Sequence, residues 1–270
     1  MEGLSGVGST IHQNWFSPSR PQVCSTTPNA LVGAGSLRDL ADVGLGLRFR
    51  SSTPGPETEL VEAFLESLDV GLPRGRRLTV FCQPALETGF PDIVAVVWRE
   101  SIAQKWPAER ELLQNNDLRL LHALADRDWF EIERLEGIFR RRLRRSLERL
   151  ESLDLALVTE RKCRARALSS IFAVERIVAI EAKVSWWQRA LEQAGGNVWF
   201  SSESHALMPS IGDSAAVAAA AKRFQVGVLH FEDARPKEVW AAPQRQVPTS
   251  YGSWLFNEWI WRIARRLGDI

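Results

Sequence analysis

The chain has 270 residues, 45% hydrophobic and 25% charged, which is an ordinary globular balance and enough for one large domain or two small ones. Its formal net charge of +1 excludes a strong attraction to polyanions by the chain as a whole. Any surface that attracts a polyanion must therefore be a local cluster of basic residues. No apolar run reaches the ~18 residues that a membrane-spanning helix needs, so we expect no membrane partner.

The three cysteines point to a reducing compartment. Cys24, Cys82 and Cys163 are far apart and odd in number, which predicts neither a disulfide framework nor a metal-ligand spacing. The first residues show no basic region followed by an apolar core, so we expect no secretory signal and a cytoplasmic protein.

Tryptophan is unusually frequent, with eleven residues against one tyrosine. Four of them lie in the last 31 residues: Trp240, Trp254, Trp259 and Trp261. Core filling is one interpretation and stacking on nucleobases is the other, and composition does not separate them.

The first part of the chain combines an irregular arm with the start of an α/β pattern. Residues 1–56 are rich in Gly, Ser, Pro and Thr, which predicts an irregular arm with one short strand near residues 45–49. The stretch ETELVEAFLESL then has helical spacing of its apolar residues. Two predicted strands follow at residues 77–86 and 91–98, joined by a hairpin turn at Glu87-Thr88-Gly89.

Residues 107–172 have a different character. Three short amphipathic helices are predicted there, followed by a strand, a charged tip and a second strand in LALVTERKCRARAL. This layout resembles a winged helix-turn-helix, a family in which the last helix enters a DNA groove and the hairpin contacts the backbone. The resemblance implies an inserted DNA-binding subdomain.

The strand–helix alternation returns after residue 172. A strand is predicted over residues 175–184, and Ser185 is predicted to cap the next helix, which ends at Gly195-Gly196. A strand over residues 197–204, an Ala-rich helix, a further strand and an amphipathic C-terminal helix complete the chain. Residues 57–98 and 175–270 therefore form one predicted α/β core, interrupted by the helical block.

Charged residues end two of the predicted strands, where an unpaired buried charge would be costly. Asp92 opens one strand, and Glu181 and Lys183 close another on one face, because strand side chains alternate. If the two strands pair, Asp92 lies beside Glu181. Two adjacent carboxylates repel each other and favour a divalent cation with hard oxygen ligands, Mg²⁺ or Mn²⁺.

These residues resemble the motif of the PD-(D/E)XK nuclease superfamily. Pro91-Asp92 matches the PD element and Glu181-Ala182-Lys183 the (D/E)XK element. The resemblance implies a restriction endonuclease-like mixed sheet flanked by helices. It also implies site roles: Asp92 and Glu181 as metal ligands, Lys183 as the catalytic lysine, Glu57 (with Glu59 next) as an accessory group, and Gln188 or Gln193 as a helix glutamine.

Other interpretations of the same residues stay open. Asp92 and Glu181 are 89 positions apart, more than is usual in this superfamily, although a long insertion costs little closure entropy. Glu181 and Lys183 could form a surface ion pair, and Asp92 could serve a turn. An acidic residue such as Glu57 is favoured in the first turn of a helix by the dipole alone.

The helical block carries a local excess of positive charge. Residues 140–166 contain ten basic and four acidic side chains, a local charge of +6. This pattern predicts phosphate contacts and steeply salt-dependent binding to double-stranded DNA, although a solvated face or a protein-binding surface is the alternative. The predicted DNA-binding residues are Arg140, Arg141, Arg142, Arg144, Arg145, Arg161, Lys162 and Arg164.

The leading hypothesis is a metal-dependent DNA endonuclease. The alternative is a catalytically silent DNA-binding or scaffolding protein on a nuclease-like fold, and RNA is a less favoured substrate. A homodimer is compatible with the pattern.

Overall fold

A computed structural model describes residues 43–68, 70–125 and 128–270, together with the backbone of residues 30–32. Seven strands form the main sheet, in the order β1-β2-β3-β7-β8-β9-β10. Their bounds are β1 Ala30–Val32, β2 Arg76–Cys82, β3 Ile93–Arg99, β7 Val174–Ala182, β8 Glu203–Met208, β9 Gly227–Glu232 and β10 Arg235–Trp240.

Helices flank this sheet and build the inserted block. Their bounds are α1 Pro56–Glu66, α2 Glu100–Ala103, α3 Asn115–Leu124, α4 Ile132–Phe139, α5 Leu143–Ser152, α6 Leu168–Ile171, α7 Trp187–Gly196, α8 Ser214–Phe224 and α9 Tyr251–Arg266. Two 3₁₀ turns, Ala108–Leu112 and Arg140–Arg142, lie in the inserted block.

The sheet is mixed, as the sequence predicts. The strands β2, β3 and β7 form an antiparallel meander, and β8 then lies parallel to β7 after the crossover helix α7. The strand predicted over residues 197–204 is wrong in its position, because residues 197–201 turn back toward the sheet and β8 begins at Glu203. The edge strand β10 was not predicted, because its alternation of exposed and half-buried residues carries little apolar signal.

The block between β3 and β7 has its own small sheet. It contains β4 Phe130–Glu131, β5 Ala156–Val158 and β6 Lys162–Ala165, and the β5–β6 hairpin follows α5. The short strand β4 pairs with β6 and completes a three-stranded antiparallel sheet. The helices α3, α4 and α5 cover this sheet with Leu118, Leu135 and Leu147, among others.

Apolar residues cover both faces of the main sheet. One face packs against α1 through Leu60 and Phe64. The other face packs against α9, and its core continues without a break into the inserted block. The insertion is therefore not a pendant unit but shares the largest core found among the described residues.

The C-terminal helix differs from its prediction. The sequence pattern predicts an amphipathic helix with one apolar face, but every residue of α9 from Tyr251 to Ala264 is buried. The main sheet covers one side of α9 and the inserted block covers another, so its polar residues are internal.

Most of the predicted N-terminal arm lies outside the described residues. The strand expected near residues 45–49 is reduced to a single bridge between Phe49 and Pro84, whereas β1 lies earlier in the arm and pairs in parallel with β2. Over the described ranges, the helices are too short or too polar to cross a membrane.

Candidate active site

The pairing of β3 with β7 sets the candidate site. Ile93 lies opposite Ile180 in an antiparallel register, so the preceding Asp92 comes beside Glu181. The predicted pairing of these strands is therefore present despite the long insertion between them.

Asp92 is held from two sides. Its Oδ2 accepts a hydrogen bond from the backbone N–H of Ala182 at 2.9 Å, and its Oδ1 accepts one from Nε2 of Gln83 at 3.4 Å. Gln83 also donates its backbone N–H to the carbonyl of Asp92 at 3.0 Å. Because Gln83 directly follows β2, three strand ends together fix the orientation of this carboxyl group.

Glu181 is the most perturbed carboxyl group of the site. It is 5% exposed, and its Oε1 accepts a hydrogen bond from Nδ2 of Asn197 at 2.7 Å. Burial and the neighbouring Asp92 raise the pKa of Glu181 from 4.5 to about 8, against the opposing effects of Asn197 and Lys183. Its side chain is also hydrogen-bonded to that of Asp92. The two groups are thus close enough to share a proton or a cation.

Lys183 sits at the end of β7 and contacts three oxygen atoms. Its Nζ lies 3.0 Å from Oε2 of Glu57, 3.9 Å from Oδ2 of Asp92 and 3.0 Å from the carbonyl of Ala182. Its side chain is largely covered, whereas that of Glu57 is half-exposed. The ammonium therefore lies between the carboxyl pair and the first turn of α1.

The predicted glutamines lie elsewhere. Gln188 and Gln193 are exposed on the outer face of α7, and neither forms a described hydrogen bond to Asp92, Glu181 or Lys183. Asn197, at the C-terminal end of α7, contacts Glu181 instead.

The cap of α7 also differs from its prediction. Trp186, not Ser185, occupies the N-cap position, and no side chain caps the helix.

Asn197 and Gln83 are the residues that the sequence patterns missed. The sequence pattern places Asn197 in a strand and Gln83 in the interior of one, so it predicts no contact of either residue with a carboxyl group. Their only sequence signal is a polar side chain at the end of an apolar segment, which many surface residues share.

The donor set suits a hard divalent cation only in part. Asp92 and Glu181 offer carboxylate oxygens, and Mg²⁺ commonly binds one or two carboxylates while keeping several waters. Within the described ranges, no group of three or more His, Cys, Asp or Glu side chains is arranged to hold a metal ion. A cation here would therefore take its remaining ligands from water or from a phosphate.

The predicted DNA-binding residues fall into two groups. The first group is exposed in the 3₁₀ turn and at the start of α5: Arg140, Arg141, Arg142, Arg144 and Arg145. The second group lies in the β5–β6 hairpin, where Arg161 is exposed, Lys162 pairs with Glu131 at 3.2 Å, and Arg164 stacks on Trp129 at 5.0 Å.

A cavity of about 700 Å³ lies beside the first group. Arg119 and Tyr251 line it, with the guanidinium of Arg119 stacked 4.2 Å from the ring centroid of Tyr251. Arg119 also pairs with Glu87, in the loop that leads to Asp92. One ion pair therefore joins a residue that lines the cavity to the loop that precedes Asp92.

No protein-family model, curated protein or solved structure matches the chain. The functional assignment therefore depends on the residues and geometry described above.

Proposed function

We propose that the protein is a divalent-metal-dependent nuclease that hydrolyses phosphodiester bonds in DNA. The observation that carries the proposal is the meeting of Asp92, Glu181 and Lys183 at paired strand ends, with 3.9 Å between Nζ of Lys183 and Oδ2 of Asp92. This is the arrangement expected from the resemblance to the PD-(D/E)XK superfamily.

Each side chain has a role that follows from its contacts. Asp92 and Glu181 would hold Mg²⁺ or Mn²⁺, which polarises a phosphodiester and lowers the pKa of bound water. Lys183 is placed to orient a water nucleophile and to stabilise the negative charge that develops on the phosphate. Glu57 and the carbonyl of Ala182 hold the Lys183 ammonium in place.

DNA is the favoured substrate because of the basic surface. Arg140, Arg141 and Arg142 are exposed and adjoin the cavity that Arg119 connects to the loop before Asp92. The order of helix, strand, helix, helix and hairpin in the inserted block supports a winged helix that holds the flanking duplex.

The direct test is cleavage of plasmid DNA by purified protein with Mg²⁺ or Mn²⁺. We expect Asp92→Ala and Lys183→Ala each to lower the cleavage rate by about 100- to 1,000-fold, because the first removes a proposed metal ligand and the second removes a cation placed to stabilise the phosphate. Glu66→Ala, which removes an exposed carboxylate at the opposite end of the same helix from Glu57, is the matched control and should cleave at the wild-type rate. Equal cleavage by wild type and both variants would exclude this site.

A second candidate is DNA binding without cleavage. It is favoured by one observation: the carboxylate of Glu57 contacts Lys183 rather than extending the Asp92–Glu181 pair to a third ligand. Binding of DNA with no cleavage under any divalent cation would support this second candidate.

A further inference from the structure

The start of α7 exposes a tryptophan that lies close in sequence to the candidate site. Trp186 is 72% exposed and follows Lys183 by three residues. Its backbone is left-handed, with φ 61° and ψ 60°, a conformation that bulky residues rarely adopt. Residues in such sparsely populated backbone regions cluster at functional sites, which motivates a search for a ligand here.

An open cavity of about 700 Å³ on the outer face of α7 adjoins this tryptophan. It is lined by Trp186, Gln188, Arg189, Glu192 and Gln193. The indole offers a stacking surface, and the two amides offer both donors and acceptors. Arg189 and Glu192 balance in formal charge, so the cavity favours a neutral heterocycle over a bare phosphate.

The other strand of the site also exposes an aromatic ring. Phe90 is 45% exposed and lies two residues before Asp92, and Val184 is 40% exposed directly after Lys183. The 2.9 Å hydrogen bond from Ala182 to Asp92 places Phe90 and Val184 at the same end of the strand pair. An intact duplex presents phosphates and sugars to these exposed apolar side chains, whereas an unpaired base presents an apolar face.

We infer that Trp186 stacks on an unpaired nucleobase of the strand that is cut, with the Gln188 and Gln193 amides at the base edge. The substrate is therefore DNA with a single-stranded segment at the cut position, such as a flap or a fork, and the basic block holds the adjoining duplex. This inference rests on the proposed nuclease function and narrows its substrate class. It differs from the intact duplex that the sequence predicts.

The test compares three labelled DNAs in EDTA, where cleavage does not interfere: a single strand, a blunt duplex, and a duplex with a single-stranded flap. Fluorescence anisotropy gives the affinities. We expect Trp186→Ala to weaken binding to the single strand and the flap by about 5- to 100-fold and to leave blunt-duplex binding unchanged. Trp186→Phe should retain most of the affinity, because a phenyl ring still stacks.

Two controls separate stacking from a general loss of fold. Leu112→Ala shortens another exposed apolar side chain, at 63% exposure, and should change none of the three affinities. In addition, 2-aminopurine in the flap should be quenched by wild-type protein and not by Trp186→Ala. Equal losses on all three DNAs, or no loss on any, would overturn the inference.

Different results would overturn the stacking inference and the proposed nuclease function. Cleavage that depends on Asp92, together with an unaltered single-strand affinity in Trp186→Ala, would remove the stacking role and keep the nuclease. Selective loss of single-strand affinity without cleavage by the wild type would keep the stacking role and remove the nuclease.

Discussion

At the scale of single residues, Glu181 shows how neighbours decide the state of a carboxyl group. The same side chain at an exposed strand end would titrate normally, but burial and Asp92 raise its pKa to about 8. Asn197 and Lys183 partly offset this effect. The Asp92–Glu181 pair thus favours uptake of a proton or a cation near neutral pH.

Glu181→Gln should alter the pH dependence of stability. Because the pKa of Glu181 is raised in the folded protein, its stabilising contribution is present below about pH 4.5 and is lost as the pH rises through about 8. We therefore expect the wild-type free energy of unfolding to fall over this range, and to fall less in Glu181→Gln. Urea denaturation at a series of pH values measures the difference.

Glu192→Gln, at an exposed position on α7, is the control and should keep the wild-type slope. Identical pH slopes in all three proteins would contradict the buried, perturbed state of Glu181.

The sequence indicates the charged residues of the site but not their supports. Asp92, Glu181 and Lys183 stand at the ends of apolar runs, which makes them visible in the pattern. Gln83 and Asn197 reach the same carboxyl groups from turns, and their directions depend on loop conformation rather than on periodicity. Lys183 was expected on the face of Glu181, but its long side chain extends to Glu57 on α1.

At the scale of secondary structure, α9 shows the clearest difference between pattern and structure. Two of its buried polar side chains have distant partners: Arg110 donates to Glu258 at 2.7 Å, and the backbone of Ala173 donates to Asn257 at 2.8 Å. Arg262 donates to the carbonyl of Val43 at 3.1 Å. These contacts join the inserted block and the N-terminal segment to α9.

Glu258→Ala should be strongly destabilising because it leaves Arg110 buried without its carboxylate. We expect a loss of about 3–5 kcal/mol in the free energy of unfolding, measured by urea denaturation. The double variant Arg110→Met with Glu258→Leu should recover much of this loss, since both charges are then removed.

Glu111→Ala breaks an exposed pair with Arg265 and should cost at most about 1 kcal/mol, which makes it the matched control. Similar losses of unfolding free energy in Glu258→Ala and Glu111→Ala would show that the buried Arg110–Glu258 pair stabilises the fold no more than an exposed pair does.

At the scale of the whole molecule, the inserted block that carries the basic turn is packed onto the main sheet that carries the candidate site. The insertion shares its core with the main sheet, and Arg119 bridges from the cavity beside Arg140–Arg142 to Glu87 in the loop before Asp92. Any DNA that bound to the basic turn would therefore bind to an inserted block that packs against the main sheet.

Replacing Arg140, Arg141 and Arg142 by Ala should weaken duplex DNA binding and flatten its salt dependence. Each lost phosphate contact should reduce the slope of log affinity against log salt by about 0.9. Anisotropy titrations at several salt concentrations measure this slope.

The control removes the same charge far along the sheet, by Lys222→Ala, Arg223→Ala and Arg235→Ala on α8 and β10. Equal slopes in the two triple variants would contradict a localised phosphate-binding surface.

The sequence by itself determined the mixed α/β character, the helical insertion and the three charged residues at strand ends, because these depend on periodicity and on chain order. Only the tertiary structure decided which groups meet. Strand register brought Asp92 to Glu181 across the insertion, and packing between the main sheet and the inserted block buried α9 from Tyr251 to Ala264. The turns after β2 and α7 placed Gln83 and Asn197 on the carboxyl groups. Such contacts join residues that are distant in sequence, so no local pattern records them.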